Sequence, residues 1–424
     1  MADLAYTDDN WLGETPKNWP ILPAKSLFSN PVERNYADDI HLTPSQKYGV
    51  LPQTEYMEVT GNRVVLNLSG ADNMRHVEPG DFVSHLRSFQ GGLEYSPFRG
   101  KVSSAYTVLR PRREIEPRFY KYLFKSGRYV QGLATTTEQL RDGQSIRYEQ
   151  FALLRLPNPP LEEQKAIADF LDRELAQIDD LVARQESFMN LLAERSKALV
   201  RNAILLGLEP DRPTKRTSLT WAPTIPDDWK IKPLWMVLKF ESGWTPPSGK
   251  DEYFEGDNLW ANISDLGPRT LSNTQKFISD SAVNEFKLKS VKTGSLLFSF
   301  KLSIGQVSIA GVPMFTNEAI AAFQPNDSLD IDYMYYMLPI TVPENASENI
   351  YGAKMLNAQR IKQARILIPP KDEQIRISKF LKQELADIEW LTKKAVETRD
   401  VLLEKRQALI NASVTGKFDV RGKN

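Results

Sequence analysis

Glycine-rich basic loops carry the residues of this sequence best suited to acting on a ligand. The stretch Arg87-Ser-Phe-Gln-Gly-Gly-Leu-Glu-Tyr-Ser-Pro-Phe-Arg-Gly-Lys101 interleaves Arg87, Ser88, Gln90, Tyr95, Arg99 and Lys101 with Gly91 and Gly92. Glycines let a backbone approach a ligand closely, and Arg and Gln can grip a base edge with two hydrogen bonds. A second loop, Arg141-Asp-Gly-Gln-Ser-Ile-Arg147, offers Arg141, Gln144 and Arg147. Further along, Ser242-Gly-Trp-Thr-Pro-Pro-Ser-Gly-Lys250 offers Trp244, Thr245 and Lys250; Lys301-Leu-Ser-Ile-Gly-Gln306 offers Lys301, Ser303 and Gln306; Tyr351-Gly-Ala-Lys-Met-Leu-Asn357 offers Lys354 and Asn357. Lysines and arginines in such loops would neutralise phosphates, which gives position and salt dependence. Gln, Asn and Arg would specify bases.

Motifs for covalent chemistry are incomplete. Asn158-Pro-Pro-Leu161 has Leu where a base-stacking amino-methyltransferase motif needs an aromatic ring, and the later Ile368-Pro-Pro-Lys371 lacks the Asn. Ser248-Gly-Lys250 and Thr415-Gly-Lys417 lack the flanking residues of a phosphate-binding loop. Asp227 and Asp228 with Glu285 and Lys287 could form a nuclease carboxylate-lysine site, although about 60 residues separate the two pieces. The three histidines, His41, His76 and His85, have no serine elbow to serve. With no cysteine, disulfides, thiol catalysis and zinc–thiolate sites are excluded. No catalytic residue and no metal ligand is assigned.

Two similar halves must position these loops. At a constant offset of 210, 16 of the 41 pairs from Pro159/Pro369 to Leu199/Leu409 are identical, and Pro16-Lys-Asn-Trp19 faces Pro226-Asp-Asp-Trp229 at the same offset. Each matched segment begins at Pro-Pro followed by acidic residues, which suits a helix N-terminus. Leu171, Leu175, Ile178, Val182, Gln185, Met189, Leu192, Ser196 and Leu199 recur at spacings of four and three, the coiled-coil period. The second copy follows suit, with Arg399 and Arg406 interrupting its seam. At ~1.5 Å per residue each helix spans roughly 60 Å. The segments Pro16–Leu156 and Pro226–Ile368 read as mixed α/β, with strands expected at Val102–Leu109, Leu296–Phe300 and Gly305–Ala310. Helices are expected at Pro117–Ser126 and Ile331–Leu338, and Leu208–Thr224 reads as a linker.

A chain of 424 residues with 25% charged residues has the size of two or more folded domains. Its 54 basic and 54 acidic residues balance. Locally they do not: residues 1–60 carry four Lys/Arg against nine Asp/Glu, and residues 61–155 carry fifteen against nine. A basic half-domain suits an anionic ligand. The acidic N-terminus and the lack of a long apolar run point to a cytoplasmic protein with no membrane partner.

The sequence resembles the specificity subunit of type I restriction-modification systems over nearly its whole length. The carriers are the Pro-Pro-x-(Asp/Glu)-Glu-Gln helix starts at Pro159 and Pro369, Leu403-Glu-Lys-Arg-Gln-Ala-Leu409 with Val414-Thr-Gly416, Arg87-Ser-Phe-Gln-Gly-Gly92 with Ser104-Ala-Tyr106, Gly243-Trp-Thr-Pro246 through Trp260 and Asp265-Leu266, and Phe315-Thr-Asn-Glu-Ala-Ile320. The resemblance implies an α/β (α+β) fold: two pseudo-repeated target recognition domains separated by two long antiparallel coiled-coil helices. The expected division is recognition domain 1 at 1–157, first spacer helix at 158–208, linker at 209–224, recognition domain 2 at 225–367, and second spacer helix with C-terminal tail at 368–424.

It further implies double-stranded DNA as ligand, each domain reading half of a bipartite site. Two methyltransferase subunits would dock on the helices around Glu163, Gln164, Phe170, Glu373, Gln374 and Phe380, and restriction/translocase subunits would join them. S-adenosylmethionine, ATP and Mg would sit on those partners, with no cofactor in this chain and no catalysis by it. On the residues alone, a metal-dependent nuclease using Glu285 and Lys287, or a coiled-coil scaffold without DNA binding, stays open.

Overall fold

The computed structural model describes residues 4–7, 9, 11–62, 73–84, 93–136, 147–247, 249–301, 303–324, 326–348, 352 and 354–420. The chain divides into two compact units, residues 1–187 with 395–424, and residues 188–394. Two long helices, Leu161–Leu206 and Lys371–Val414, each contribute one part to each unit. Around them the elements are short strands and helices in mixed order, so the α/β class expected from the sequence holds.

In the first unit a four-stranded antiparallel sheet runs in the order Phe28–Ser29, Val108–Pro111, Phe82–Ser84, Leu93–Tyr95. Phe28 sits at the centre of an aromatic core, with Phe82, Tyr120, Phe124 and Phe151 at 5.2–5.8 Å between ring centroids. Phe124 is tilted and the other three rings are edge-on, a packing that adds to area burial because the positive ring edge meets a negative face. The helix Pro117–Lys125 supplies two of these rings, and its hydrophobic stripe is what the sequence period encodes. The long-helix residues Ile167, Leu171, Leu175 and Ile178 join the same core, together with Ile410 and Val414. Phe170 stacks on Phe418 at 5.2 Å, and Arg406 reaches Asp179 at 2.8 Å. The helix segments of this unit therefore run antiparallel, and an ion pair occupies the place where Arg406 interrupts the apolar seam.

The second unit has a five-stranded sheet, Phe240–Ser242, Ile320–Phe323, Leu296–Ser299, Val307–Ala310, Thr270–Leu271, beside a three-stranded sheet, Lys276–Ile278, Asn258–Ala261, Phe315–Thr316. Its main core joins Trp229, Phe298, Phe323, Tyr333 and Met337 to Ala203, Ile204, Ile377 and Leu381 of the long helices.

The offset of 210 survives in three dimensions. Strand Ile21–Pro23 pairs with Arg155–Pro157, Arg155 opposite Pro23, while Lys230–Pro233 pairs with Arg365–Ile368, Arg365 opposite Pro233. Gln164 and Gln374 do the same work in each unit. Gln164 Oε1 accepts from Glu116 N (2.9 Å) and its amide donates to Pro159 O (2.8 Å). Gln374 Oε1 accepts from Asp330 N (2.8 Å) and its amide donates to Pro369 O (2.9 Å). Glu116 and Asp330 are the caps of the equivalent short helices Pro117–Lys125 and Ile331–Thr341. Each glutamine thus locks the cap of a short helix onto the turn that launches a long helix.

Some local expectations need correction. Val102–Leu109 is two strands, ending at Val102 and resuming at Val108, with a turn between. Ile331–Thr341 runs on through Pro339. The segment read as a linker folds: Thr214–Arg216 pairs with Thr224–Pro226, and Arg212 ties it to Glu373 and Asp228. Among the described residues no helix is long and apolar enough to cross a membrane.

Candidate nucleic-acid interface

Several candidate residues of the second unit come together. Gly243 lies so close to the strand Phe315–Thr316 that a Cβ there would collide with the Thr316 carbonyl, which is why glycine precedes the tryptophan. Trp244 is then pinned at both backbone groups: its N–H donates to Thr316 O (2.9 Å) and its carbonyl accepts from Trp260 Nε1 (3.1 Å). Its indole lies on Phe286 with ring centroids 4.0 Å apart and remains 36% exposed. An indole held this way is a preformed apolar plate, suited to a base face or a thymine methyl.

Thr245 donates to Glu318, and Lys301 lies 3.5 Å from the same carboxylate. The Thr245 hydroxyl, with Lys301 beside it, holds the Glu318 carboxyl below the usual range. On the other side of Phe286, Tyr253 packs at 5.3 Å, donates to Glu285 (2.8 Å) and accepts from Lys250 (3.1 Å). The cluster thus runs from Lys250 through Tyr253, Phe286 and Trp244 to Thr245, Glu318 and Lys301. A cleft of about 590 Å³ opens beside it, lined by Trp244, Phe286 and Lys287 among others.

Among the described residues, Lys287 (φ 50°) and Ser303 (φ 49°) are the non-glycine residues with positive φ. Both lie on loops of this region, where the backbone conformation is unfavourable for a side chain and is held by its surroundings. Ser303 O accepts from Ser299 Oγ (2.6 Å), and Gln306 is exposed on the same hairpin. Lys354 is exposed on the short strand Lys354–Met355. Asn357 is committed locally, since its side chain caps the helix Ala358–Gln363 by accepting from Arg360 N (2.9 Å).

In the first unit, Arg87, Ser88, Gln90, Gly91, Gly92, Arg141 and Gln144 lie outside the described residues. Arg99 projects half-exposed over the Tyr36 ring (5.5 Å), with Asp38 and Asp39 at 3.3 and 3.5 Å. Lys101, directly opposite His76 in the strand pair, is half-buried near His41; burial, then Lys101, pushes the His41 imidazole down. Arg147 is exposed at the start of the helix Tyr148–Ala152. Tyr95 turns inward instead, its ring 5.7 Å from Phe82.

Four of the six residues expected to dock partners are spent within their own unit, which corrects that reading. Gln164 and Gln374 are 2% and 1% exposed and hydrogen-bonded as described above. Phe170 is buried against Phe418. Glu373 is buried, accepting from Trp229 Nε1 (2.9 Å) and pairing with Arg212. Glu163 is half-buried and Phe380 exposed. The nuclease pieces belong to separate networks: Asp228 pairs with Arg212, and Glu285 accepts from Tyr253.

Sequence reasoning gave no role to Tyr253, Phe286 and Glu318 in the second unit or to Tyr36, Asp39 and His76 in the first. Glu318 lay inside the Phe315–Ile320 motif, and His76 was noted only as a histidine without a serine elbow.

A duplicated mixed α/β chain, with exposed basic and aromatic loops on short strands and paired long helices, defines a modular recognition protein. Residues 29–186 and 226–398 match the type I restriction modification DNA specificity domain, and the chain belongs to that family. It is 23% identical, over 98% of both chains, to a Methanocaldococcus jannaschii protein assigned as the specificity subunit of the type I restriction enzyme MjaX. To the EcoKI specificity subunit of Escherichia coli K12 it is 25% identical, over 88% of this chain and 83% of that one. Its fold is similar to the HsdS subunit from Thermoanaerobacter tengcongensis (TM-score 0.55, 18% identity, 95% of this chain and 98% of that one). A chain from a structure concerned with complex assembly and conformational transition of the type I R-M system gives 0.70 at 19% identity, over 95% and 99%.

Proposed function

We propose that each unit of this specificity subunit reads one half of a bipartite DNA site. The long helices fix the spacing between the halves and provide the surface for methyltransferase subunits. The single observation behind this is the preserved offset of 210: the same strand pair and the same glutamine lock recur, while the loops they carry differ. Equivalent frames with different side chains suit two different short sequences. In the second unit the pinned Trp244 supplies apolar base contact and Lys250 and Lys301 supply phosphate contacts; in the first, Arg99, Lys101 and Arg147 face the duplex. The chain itself performs no covalent step. S-adenosylmethionine, ATP and Mg belong on partner methyltransferase and restriction subunits.

Methylome sequencing of a host carrying this chain and its methyltransferase tests the proposal. One bipartite motif is expected. Trp244→Ala should relax the bases of one half, and Arg99→Ala those of the other. A continuous motif, or one variant relaxing both halves, would overturn it.

A further inference from the structure

Arg99 is held at the surface by a chain of buried charge. His76 is 1% exposed, with Nδ1 2.7 Å from Asp39 Oδ2 and Nε2 2.7 Å from Glu78 Oε1. Carboxylates on both ring nitrogens favour the doubly protonated imidazolium, because a neutral ring would turn a lone pair toward one of them. The Asp39 carboxylate has a side-chain exposure of 0%. Its Oδ2 also accepts from Tyr36 N (2.8 Å), and its Oδ1 lies 3.5 Å from Arg99 Nε. Tyr36 packs edge-on to His76 at 4.7 Å and lies beneath the Arg99 guanidinium. The segment 33–41 carrying Tyr36 and Asp39 is pinned to the neighbouring strands by His76 N donating to Glu33 O (3.0 Å) and Lys101 N donating to Ile40 O (2.8 Å).

The geometry points to His76 as a positioning residue: bridged between Glu78 and Asp39, it fixes the Tyr36–Arg99 pair in the orientation from which Arg99 meets DNA. This rests on the reading of Arg99 as a contact of the first half-site and adds what sets that contact. Without the imidazolium, either Asp39 or Glu78 faces a ring lone pair, and the segment 36–39, whose Tyr36, Asp38 and Asp39 all contact Arg99, is no longer fixed in place.

A pH signature follows. The groups facing the ring are Asp39 and Tyr36 from segment 33–41, Glu78 from its own strand and Lys101 from the opposite strand. Burial favours the neutral ring, but the Asp39 and Glu78 hydrogen bonds outweigh it, and the imidazole titrates above its ordinary value. A raised pKa means the bridge is complete below the ordinary histidine value and is lost as pH rises through the folded value. First-half-site binding should decline there, and second-half-site binding should not.

The test uses the full chain assembled with its methyltransferase partner, and duplexes scrambled in either half of the mapped site. Arg99→Ala should weaken binding to the intact site about tenfold, a loss confined to one half. Glu78→Gln removes one carboxylate from a partly exposed position, so the alkaline midpoint of that half's binding should move to lower pH. In the full chain without its partner, the His76 Hε1 resonance, one of three histidine signals there, should move with it. His76→Gln should approach the Arg99→Ala level and add nothing in the double variant, with second-half binding as the control for folding. If Arg99→Ala leaves both halves unchanged, the underlying reading of Arg99 fails. If Arg99→Ala acts but binding is flat through the His76 titration, or Glu78→Gln leaves the midpoint in place, the positioning role is refuted.

Discussion

Replacing Gln374 by Ala tests whether the matched helix starts are internal locks or docking contacts. The Gln374 side chain makes three hydrogen bonds: from Asp330 N (2.8 Å), to Pro369 O (2.9 Å) and to Ser328 O (3.2 Å). Ser328 is exposed and its carbonyl can turn to water, so two bonds count in full. Each lost neutral bond costs about 1 kcal/mol, and more where the abandoned partner stays buried. With the small void left in a site 1% exposed, the expected loss is about 2–3 kcal/mol. For a unit of this size that lowers the melting temperature by about 4–12 °C. Gln164→Ala, with bonds of 2.9 and 2.8 Å to Glu116 N and Pro159 O, should lower the stability of the first unit similarly. Denaturant titrations of both single variants and the double variant are the assay, and the two losses should add because the sites share no partner. A change under about 0.5 kcal/mol in each, accompanied by loss of partner assembly, would show that these amides face another subunit and would refute the reasoning.

Other substitutions test the interface directly. Trp244→Ala should cost about 1–3 kcal/mol of discrimination at one half-site while leaving the salt slope unchanged, measured by binding at several salt concentrations. Lys301→Ala should instead lower that slope by about 1 with uniform weakening across sequences. Gly243→Ala must push the Thr316 backbone aside and should abolish second-half binding while sparing the first, read in the same assay. Glu94 is buried beside Lys125 at 2.8 Å, and burial raises its carboxyl despite that partner. A carboxyl raised on folding adds stability that is full below its unfolded value and lost as pH rises through the folded one. Glu94→Gln should therefore stabilise the first unit at neutral pH, with the gain shrinking in acid, by denaturant titration at several pH values.

The long helices and the duplication were legible because their signals are local and repeated: Pro-Pro followed by acidic residues, then a sustained 4-3 apolar spacing. Burial of Leu171, Leu175, Ile178, Leu381 and Ile388 follows that spacing. The same pattern hid the role of Gln164, Glu373 and Gln374. Their identity between copies marked them as important, but only the fold shows that their partners, Glu116, Trp229 and Asp330, lie 44–144 residues away. Likewise Trp244 was a candidate contact in the loop from Ser242 to Lys250, yet Phe286, which packs on it and on Tyr253 in turn, reaches it through tertiary packing that no spacing encodes. The segment 208–224 read as a linker because prolines and mixed charges mark irregular chain; its hairpin is held by Arg212, whose partner Glu373 is 161 residues distant.

The strand pairs Ile21–Pro23 with Arg155–Pro157, and Lys230–Pro233 with Arg365–Ile368, place the entry and exit of each recognition domain side by side. An insert whose two ends emerge together can be exchanged for another without altering the path of the flanking chain. Recombination falling near those strands would transplant a complete reader as a cassette. New target sequences can then arise in single steps, with the supporting framework inherited intact.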